Sequence, residues 1–179
     1  KVDELRDKLI KYEEISDRIE FEIAAFLNAV SEGDISEDTS RKIKAMYKII
    51  GEMESLGDSG ETISRILSRR NVHKKEFDKE TLKNLEDMAA AVDNAYEAMI
   101  ANLTAAHKGE LEEILNAYNA ETRINNLRNF LRDAEIEGLE SNRKSYQASV
   151  YYMDIVNELE KMGDFIINIS QTLEKAFIR

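Results

Sequence analysis

Two stretches of this sequence, 106 residues apart, carry the same combination of a glycine and two acids inside helical patterns. They read EMESLGDSGETI (52–63) and ELEKMGDFIINI (158–169). Alignment pairs the glycine and both acids, namely Gly57 with Gly163, Glu54 with Glu160 and Asp58 with Asp164. Two unrelated amphipathic helices would share hydrophobic positions but not these three. The chain is therefore predicted to contain a duplicated helical unit.

A second, weaker match extends the duplication. EEISDRIE from Glu13 aligns with ETRINNLR from Glu121, so the helix before each glycine motif is also repeated. If the three helices of one unit are labelled a, b and c in chain order, the five helices read b, c, a, b, c. The first unit therefore lacks its a helix. We predict one domain over 1–179, with a truncated first repeat (1–72) and a complete second repeat (78–179).

The helices are predicted to be long because the chain has no proline and few glycines. Turn residues divide the apolar periodicity into five helices near 2–31, 37–70, 78–107, 110–137 and 144–177. Ser36 and Asp78 are candidate N-caps, since their oxygens can accept amide protons of a first turn. Short connections predict antiparallel neighbours. The fold class is therefore an all-α, elongated antiparallel bundle, and the third helix is expected to bury a stripe that includes Leu82 and Tyr96.

Charge and composition restrict the partners. A formal net charge of −11 disfavours nucleic acid and anionic bilayers. The absence of cysteine excludes disulfides and thiolate metal sites. No segment approaches the roughly 20 apolar residues that span a bilayer, so we expect a soluble segment without direct membrane insertion. Because the sequence starts at Lys1 without methionine, we expect it to be part of a longer protein.

The repeated acids carry the functional prediction. Glu54 and Asp58 lie one turn apart on a helix, as do Glu160 and Asp164, at the edge of the apolar stripe. Like charges at this spacing repel by about 0.2–0.5 kcal/mol, and an interior glycine costs about 1 kcal/mol relative to alanine. A bound cation would compensate for both, and a glycine would let a neighbouring backbone approach. Helix packing without metal is the alternative interpretation.

The core E-x-[LM]-G-D followed by x-x-x-x-I resembles the signature of the PhoU family, helical regulators of bacterial phosphate uptake. The segment from Arg132 to Ser170 is similar to the PhoU-like tail of bacterial sodium/phosphate symporters. The resemblance implies a cytoplasmic helical domain tethered to the inner face of the membrane, with multinuclear iron or zinc held by acids. The implied ligands are Glu13, Asp17, Glu54, Asp58, Glu121, Glu160 and Asp164. Asn125 stands where the family pattern has an acid.

Three functional classes follow. The first is a regulatory or interaction domain for phosphate transport, whose partner is a membrane transporter domain of the same or another chain. The second is a ferritin-like di-iron enzyme, which needs a Glu three residues before a ligating His; Arg70 and Thr104 occupy those positions before His73 and His107. The third is a metal-free structural bundle that interacts or forms a homodimer. With no cysteine, no glycine-rich phosphate loop and no histidine near a serine and an acid along either motif, we predict a non-enzyme.

Overall fold

The computed structural model describes residues 2–178, and the side chains of residues 7–178. Over this range the chain forms five helices and no strands. The helices are α1 (Val2–Ser31), α2 (Glu37–Val72), α3 (Lys79–Lys108), α4 (Leu115–Glu140) and α5 (Tyr146–Phe177). The prediction of an all-α bundle of five long helices is confirmed.

The predicted N-caps are present. The side chain of Ser36 accepts a hydrogen bond from the backbone amide of Thr39 at 3.1 Å, and that of Asp78 accepts one from Thr81 at 2.7 Å. Each bond satisfies an amide of a first helical turn that has no partner within its own helix. Helix α3 ends at Gly109, whose φ of 74° is the left-handed conformation that glycine adopts most easily. Local side-chain chemistry therefore sets these boundaries.

The start of α4 differs from the prediction. The sequence placed it near 110, whereas the helix begins at Leu115 without a side-chain cap. Residues 110–114 form an irregular connection in which Ile114 is 1% exposed and packs with Ala117 and Ile167. Burial of Ile114 against α5 therefore fixes this segment in a non-helical path that periodicity alone would continue as helix.

Helix α5 lies at the centre of the bundle. It packs against α2, α3 and α4, whereas α1 packs only against α2 among the described helices. Helices α2 and α5 are antiparallel, because Ser59 contacts Glu158 while Glu52, earlier in α2, contacts Asn168, later in α5. Consecutive helices pack side by side, with one exception. The described residues of α2 and α3 do not pack against each other. The connection at 73–78 instead carries α3 across to α5.

The main core lies where α5 meets its three neighbours. Its largest fully buried side chains come from three helices: Met88 and Met99 of α3, Ile124 and Leu131 of α4, and Tyr152 and Ile169 of α5. The stripe predicted for α3 is buried only in part, with Val92 and Met99 in the core. Leu82 and Tyr96 are 45% and 46% exposed. Helices α4 and α5 cover only one side of α3, so these two side chains remain uncovered.

Candidate functional site

The predicted acids of the first repeat lie together between α1 and α2. We call Glu13 and Asp17 of α1 with Glu54 and Asp58 of α2 the α1–α2 acid cluster. Partial burial, followed by the charges of Asp17, Glu61 and Asp58, raises the pKa of Glu13. Because helices α1 and α2 pack against each other, the two acid pairs that the sequence predicted separately act on one another.

Glu54 shows the same electrostatic effect from the opposite helix. Burial raises the pKa of the Glu54 carboxyl, and the charge of Asp58 and a hydrogen bond to it raise it further. Glu20 and Asp17 of α1 add smaller effects of the same sign. The groups that perturb this carboxyl are all acidic, so the α1–α2 acid cluster concentrates negative charge.

The predicted acids of the second repeat also lie together. We call Glu121 of α4 with Glu160 and Asp164 of α5 the α4–α5 acid cluster. Burial, then the charges of Glu160 and Glu121, raises the pKa of Asp164, but Arg128 lowers it. The Arg128 guanidinium lies 3.0 Å from a carboxylate oxygen of Glu160, and both side chains are mostly buried. This cluster therefore contains its own cation.

The two clusters differ at the positions that α1 and α4 contribute. In the alignment of the two helices, Glu20 corresponds to Arg128 and Asp17 corresponds to Asn125. Asn125 donates a hydrogen bond to Glu121 at 3.3 Å, so an amide takes the place of a repelling carboxylate. The sequence analysis identified Asn125 but missed Arg128. Comparing the charge of aligned positions beyond the acid motif would have found it.

The repeated glycines also have different surroundings. A Cβ added at Gly163 would lie 3.0 Å and 3.2 Å from methyl groups of Ile124, which is fully buried. A Cβ added at Gly57 would have no neighbour within 4 Å. The prediction that both glycines admit a neighbouring backbone is therefore wrong. Gly163 admits the side chain of Ile124, and the space beside Gly57 is open.

The side-chain positions do not form a metal centre. Among the described side chains, no three His, Asp or Glu residues are grouped so that they could hold one metal ion. In the α4–α5 acid cluster, Arg128 already neutralises Glu160. In the α1–α2 acid cluster the charge favours a cation, but the carboxylates do not converge. This arrangement does not fit a multinuclear iron or zinc centre without side-chain rotation.

Two polar contacts that the sequence analysis missed connect α2 to α5. Ser59, which is 1% exposed, donates a hydrogen bond to Glu158 at 2.7 Å. In the second contact the donor is on α5 and the acceptor on α2. The side-chain amide nitrogen of Asn168 lies 3.3 Å from both carboxylate oxygens of Glu52. Glu52 and Glu158 are aligned in the repeat, so the only available signal was that both copies keep this acid. Each of these acids therefore accepts a hydrogen bond from the opposite helix.

A third missed cluster joins the α4–α5 connection to the start of α3. The ammonium of Lys144 lies 3.2 Å from Asp78 and 3.6 Å from Glu80. Although burial opposes its charge, the hydrogen bond to Asp78 and the nearby carboxylates raise the pKa of Lys144. Glu135, which is 6% exposed, accepts a short hydrogen bond from Ser149. These contacts connect the start of α3 to α4 and α5 at this end of the bundle.

Comparison with known proteins found no match. No family model matches the chain, and no curated protein or solved structure is significantly similar to it. In the described part of the chain, none of the helices combines the length and the apolar character needed to cross a membrane.

Proposed function

We propose that this chain is a regulatory and interaction domain for phosphate transport, of the PhoU-like kind, which acts on a sodium/phosphate symporter. The observation that carries the proposal is that each glycine-aspartate motif lies beside acids of the helix that precedes it. The charge of Asp58 raises the pKa of Glu13, and the charge of Glu121 raises the pKa of Asp164. This is the arrangement that the family resemblance implies for its repeated units.

The role would be binding rather than catalysis. The acids of the two clusters face other acids or an arginine. Neither cluster contains a cysteine, and neither contains a histidine paired with a serine. The partner in this proposal is the transporter domain of the same or another chain at the inner face of the membrane. A charge change in an acid cluster would alter how α1 or α4 packs, and so change the surface presented to that partner.

The test uses the full-length protein in its own cells. Phosphate uptake, and its adjustment to external phosphate, are measured with the segment deleted and with Glu54→Gln and Asp58→Asn combined. A matched control combines Asp87→Asn and Glu97→Gln, which are exposed on α3. We expect the deletion and the cluster variant to disturb the adjustment and the control to leave it intact. Uptake and adjustment that are unchanged in the deletion would refute the proposal.

A second candidate function is cation binding at the α1–α2 acid cluster. The observation that favours it is the accumulation of acids that raise the pKa values of Glu13 and Glu54. After side-chain rotation brings these carboxylates together, Glu13, Asp17, Glu54 and Asp58 would hold an iron or zinc ion, which would supply the missing positive charge. Metal analysis of protein purified without tag or chelator, beside Asp58→Asn and Asp164→Asn variants, tests it. We expect metal that only Asp58→Asn removes; protein without metal would rule it out.

A further inference from the structure

An open apolar groove runs along the bundle between α1 and α3. Its floor is formed by α2 and α5, and its two sections share Met53. One section, of about 900 Å³, extends to Ile23 of α1 and Leu103 of α3. The other, of about 650 Å³, extends to Tyr12 of α1 and Tyr96 of α3. The two walls make no direct helix contact among the described residues.

An apolar stripe runs along α1, and two of its residues, Tyr12 and Ile23, line the groove. Its six side chains recur at steps of three and four residues and are 36% to 67% exposed: Tyr12, Ile15, Ile19, Ile23, Phe26 and Val30. At about 100° per residue they fall within a band about 80° wide. Leu27, which is 3% exposed, lies beside this band and is buried where α1 packs on α2, its one helix partner among the described residues. A stripe of this kind is the normal contact surface for another helix.

The sequence repeat indicates what is absent from the groove. Val156 and Leu159 of α5 are buried, and α3 packs on this helix. The aligned residues of α2, Ile50 and Met53, line the open groove instead. On the preceding helices, Leu131 of α4 is 2% exposed, whereas the aligned Ile23 of α1 is 39% exposed. The aligned positions are therefore less covered in the first repeat than in the second.

The charges at the two ends of the groove specify an orientation. One end carries Arg41, Lys42, His107 and Lys108, of which the first two also form ion pairs with Asp38. The other end carries Glu13 and Asp93. A helix that lies in the groove parallel to α2 would start at the basic end and finish at the acidic end. Acids in its first turn and bases in its last turn would complement both ends and its own dipole.

We infer that the groove binds an amphipathic α-helix from outside residues 1–179, parallel to α2, acidic in its first turn and basic in its last. The inference deepens the proposed interaction function by naming the chemistry of the partner. Helix α3 already packs on α5 in the orientation proposed here for the bound helix on α2, that is, parallel to it. Phe77, just before α3, contacts Tyr152 near the start of α5, and Asn102 contacts Ser170 near its end. Helix α3 also has Glu80 in its first turn and Lys108 in its last.

The sequence of residues 78–108 is therefore a suitable probe. A second copy of this segment is fused before Lys1 through a short glycine-serine linker, because a helix in the proposed orientation ends beside the start of α1. We expect the fusion to raise Tm by about 5 °C, since one additional helix buries the stripe. The same segment as a labelled peptide is titrated into the unfused protein, with binding followed by fluorescence anisotropy.

Two matched substitutions on α1 separate the groove from the rest of the helix. Ile23 lines the groove, whereas Phe21 is 74% exposed and points nearly opposite to the stripe. Ile23→Asp is expected to remove the Tm gain of the fusion and to weaken peptide binding about tenfold or more. Phe21→Asp is expected to keep the gain and to change binding less than about twofold.

The Tm gain is measured within each variant, so that any effect of the substitution on folding cancels. A fusion without a Tm gain, or an equal loss of the gain in both variants, would overturn the inference. Sedimentation that shows a dimer dissolved by Ile23→Asp, together with no gain from the fusion, would assign the groove to a second copy and also overturn it. Failure here leaves the phosphate-uptake test intact, so the two proposals fail separately.

Discussion

The two aligned glycines should respond to the same substitution in opposite directions. Gly57→Ala adds a methyl group where no atom lies within 4 Å, so only the helix propensity changes. Alanine is more favourable than glycine in a helix interior by about 1 kcal/mol. We expect Gly57→Ala to stabilise the protein by about 1 kcal/mol, or about 2–4 °C in Tm for a domain of this size.

At Gly163 the same gain is opposed by a steric contact. The added methyl group would lie 3.0 Å from Cδ1 and 3.2 Å from Cγ2 of Ile124. Cγ2 is attached to the branched Cβ, and a fully buried side chain has little room to rotate. Overpacking a core costs about 1–3 kcal/mol. After subtracting the propensity gain, we expect Gly163→Ala to destabilise the protein by about 0–2 kcal/mol.

Urea unfolding followed by helical circular dichroism measures both variants against the parent. A third variant adds Ile124→Val to Gly163→Ala, which removes the nearer methyl group. We expect the two changes to compensate partly, so that their combined cost is smaller than the sum of the single costs. If both alanine variants change stability equally, or if Gly163→Ala is the more stable, then the different surroundings of the glycines do not control their tolerance.

Three further predictions concern charge. Arg128→Gln should destabilise the protein by about 2 kcal/mol, because Glu160 loses a charged hydrogen bond in a mostly buried site; a urea midpoint equal to the parent's would contradict this. Glu13, Glu54 and Asp164 have raised pKa values. Such acids stabilise the fold below their ordinary pKa, 4.5 for Glu and 3.8 for Asp, and lose that contribution as pH rises through the folded value. The urea midpoint should therefore rise as pH falls from neutral toward 4.5, and Asp58→Asn should weaken the dependence. Ser36→Ala should lower the free energy of unfolding by about 1 kcal/mol, because it removes the cap of α2. Asp78→Ala should lower it by at least about 1 kcal/mol, because it removes both the cap of α3 and a contact with Lys144. Thermal unfolding of the two variants tests this.

The helices could be predicted largely from local chemistry. Ser36 and Asp78 predict helix starts because a short polar side chain can cap a first turn whatever packs around it. The start of α4 could not be predicted in this way, since burial of Ile114 against another helix overrides the local preference. Tertiary packing also decides the α3 stripe. Tyr96 has the correct periodicity for burial, but no described helix covers it.

The candidate site was predicted in part for a similar reason. The repeated acids were visible because their spacing is fixed by a single helix. That Asp58 of α2 raises the pKa of Glu13 of α1 depends on how the two helices pack, and the sequence did not predict it. Arg128 could not be assigned from spacing, because its pairing with Glu160 depends on how α4 and α5 are rotated against each other. The contact between Ser59 and Glu158 depends in the same way on how α2 lies against α5.

The central position of α5 has a consequence for synthesis on the ribosome. Helices α2, α3 and α4 all bury their apolar surfaces against α5, yet α5 is the last of the five helices to be translated. During vectorial synthesis the faces of α2, α3 and α4 that pack on α5 therefore stay uncovered until residues 146–177 have left the exit tunnel. Release of this segment, rather than the appearance of the first helical hairpin, would then trigger cooperative folding and end the period in which chaperones can bind the nascent chain.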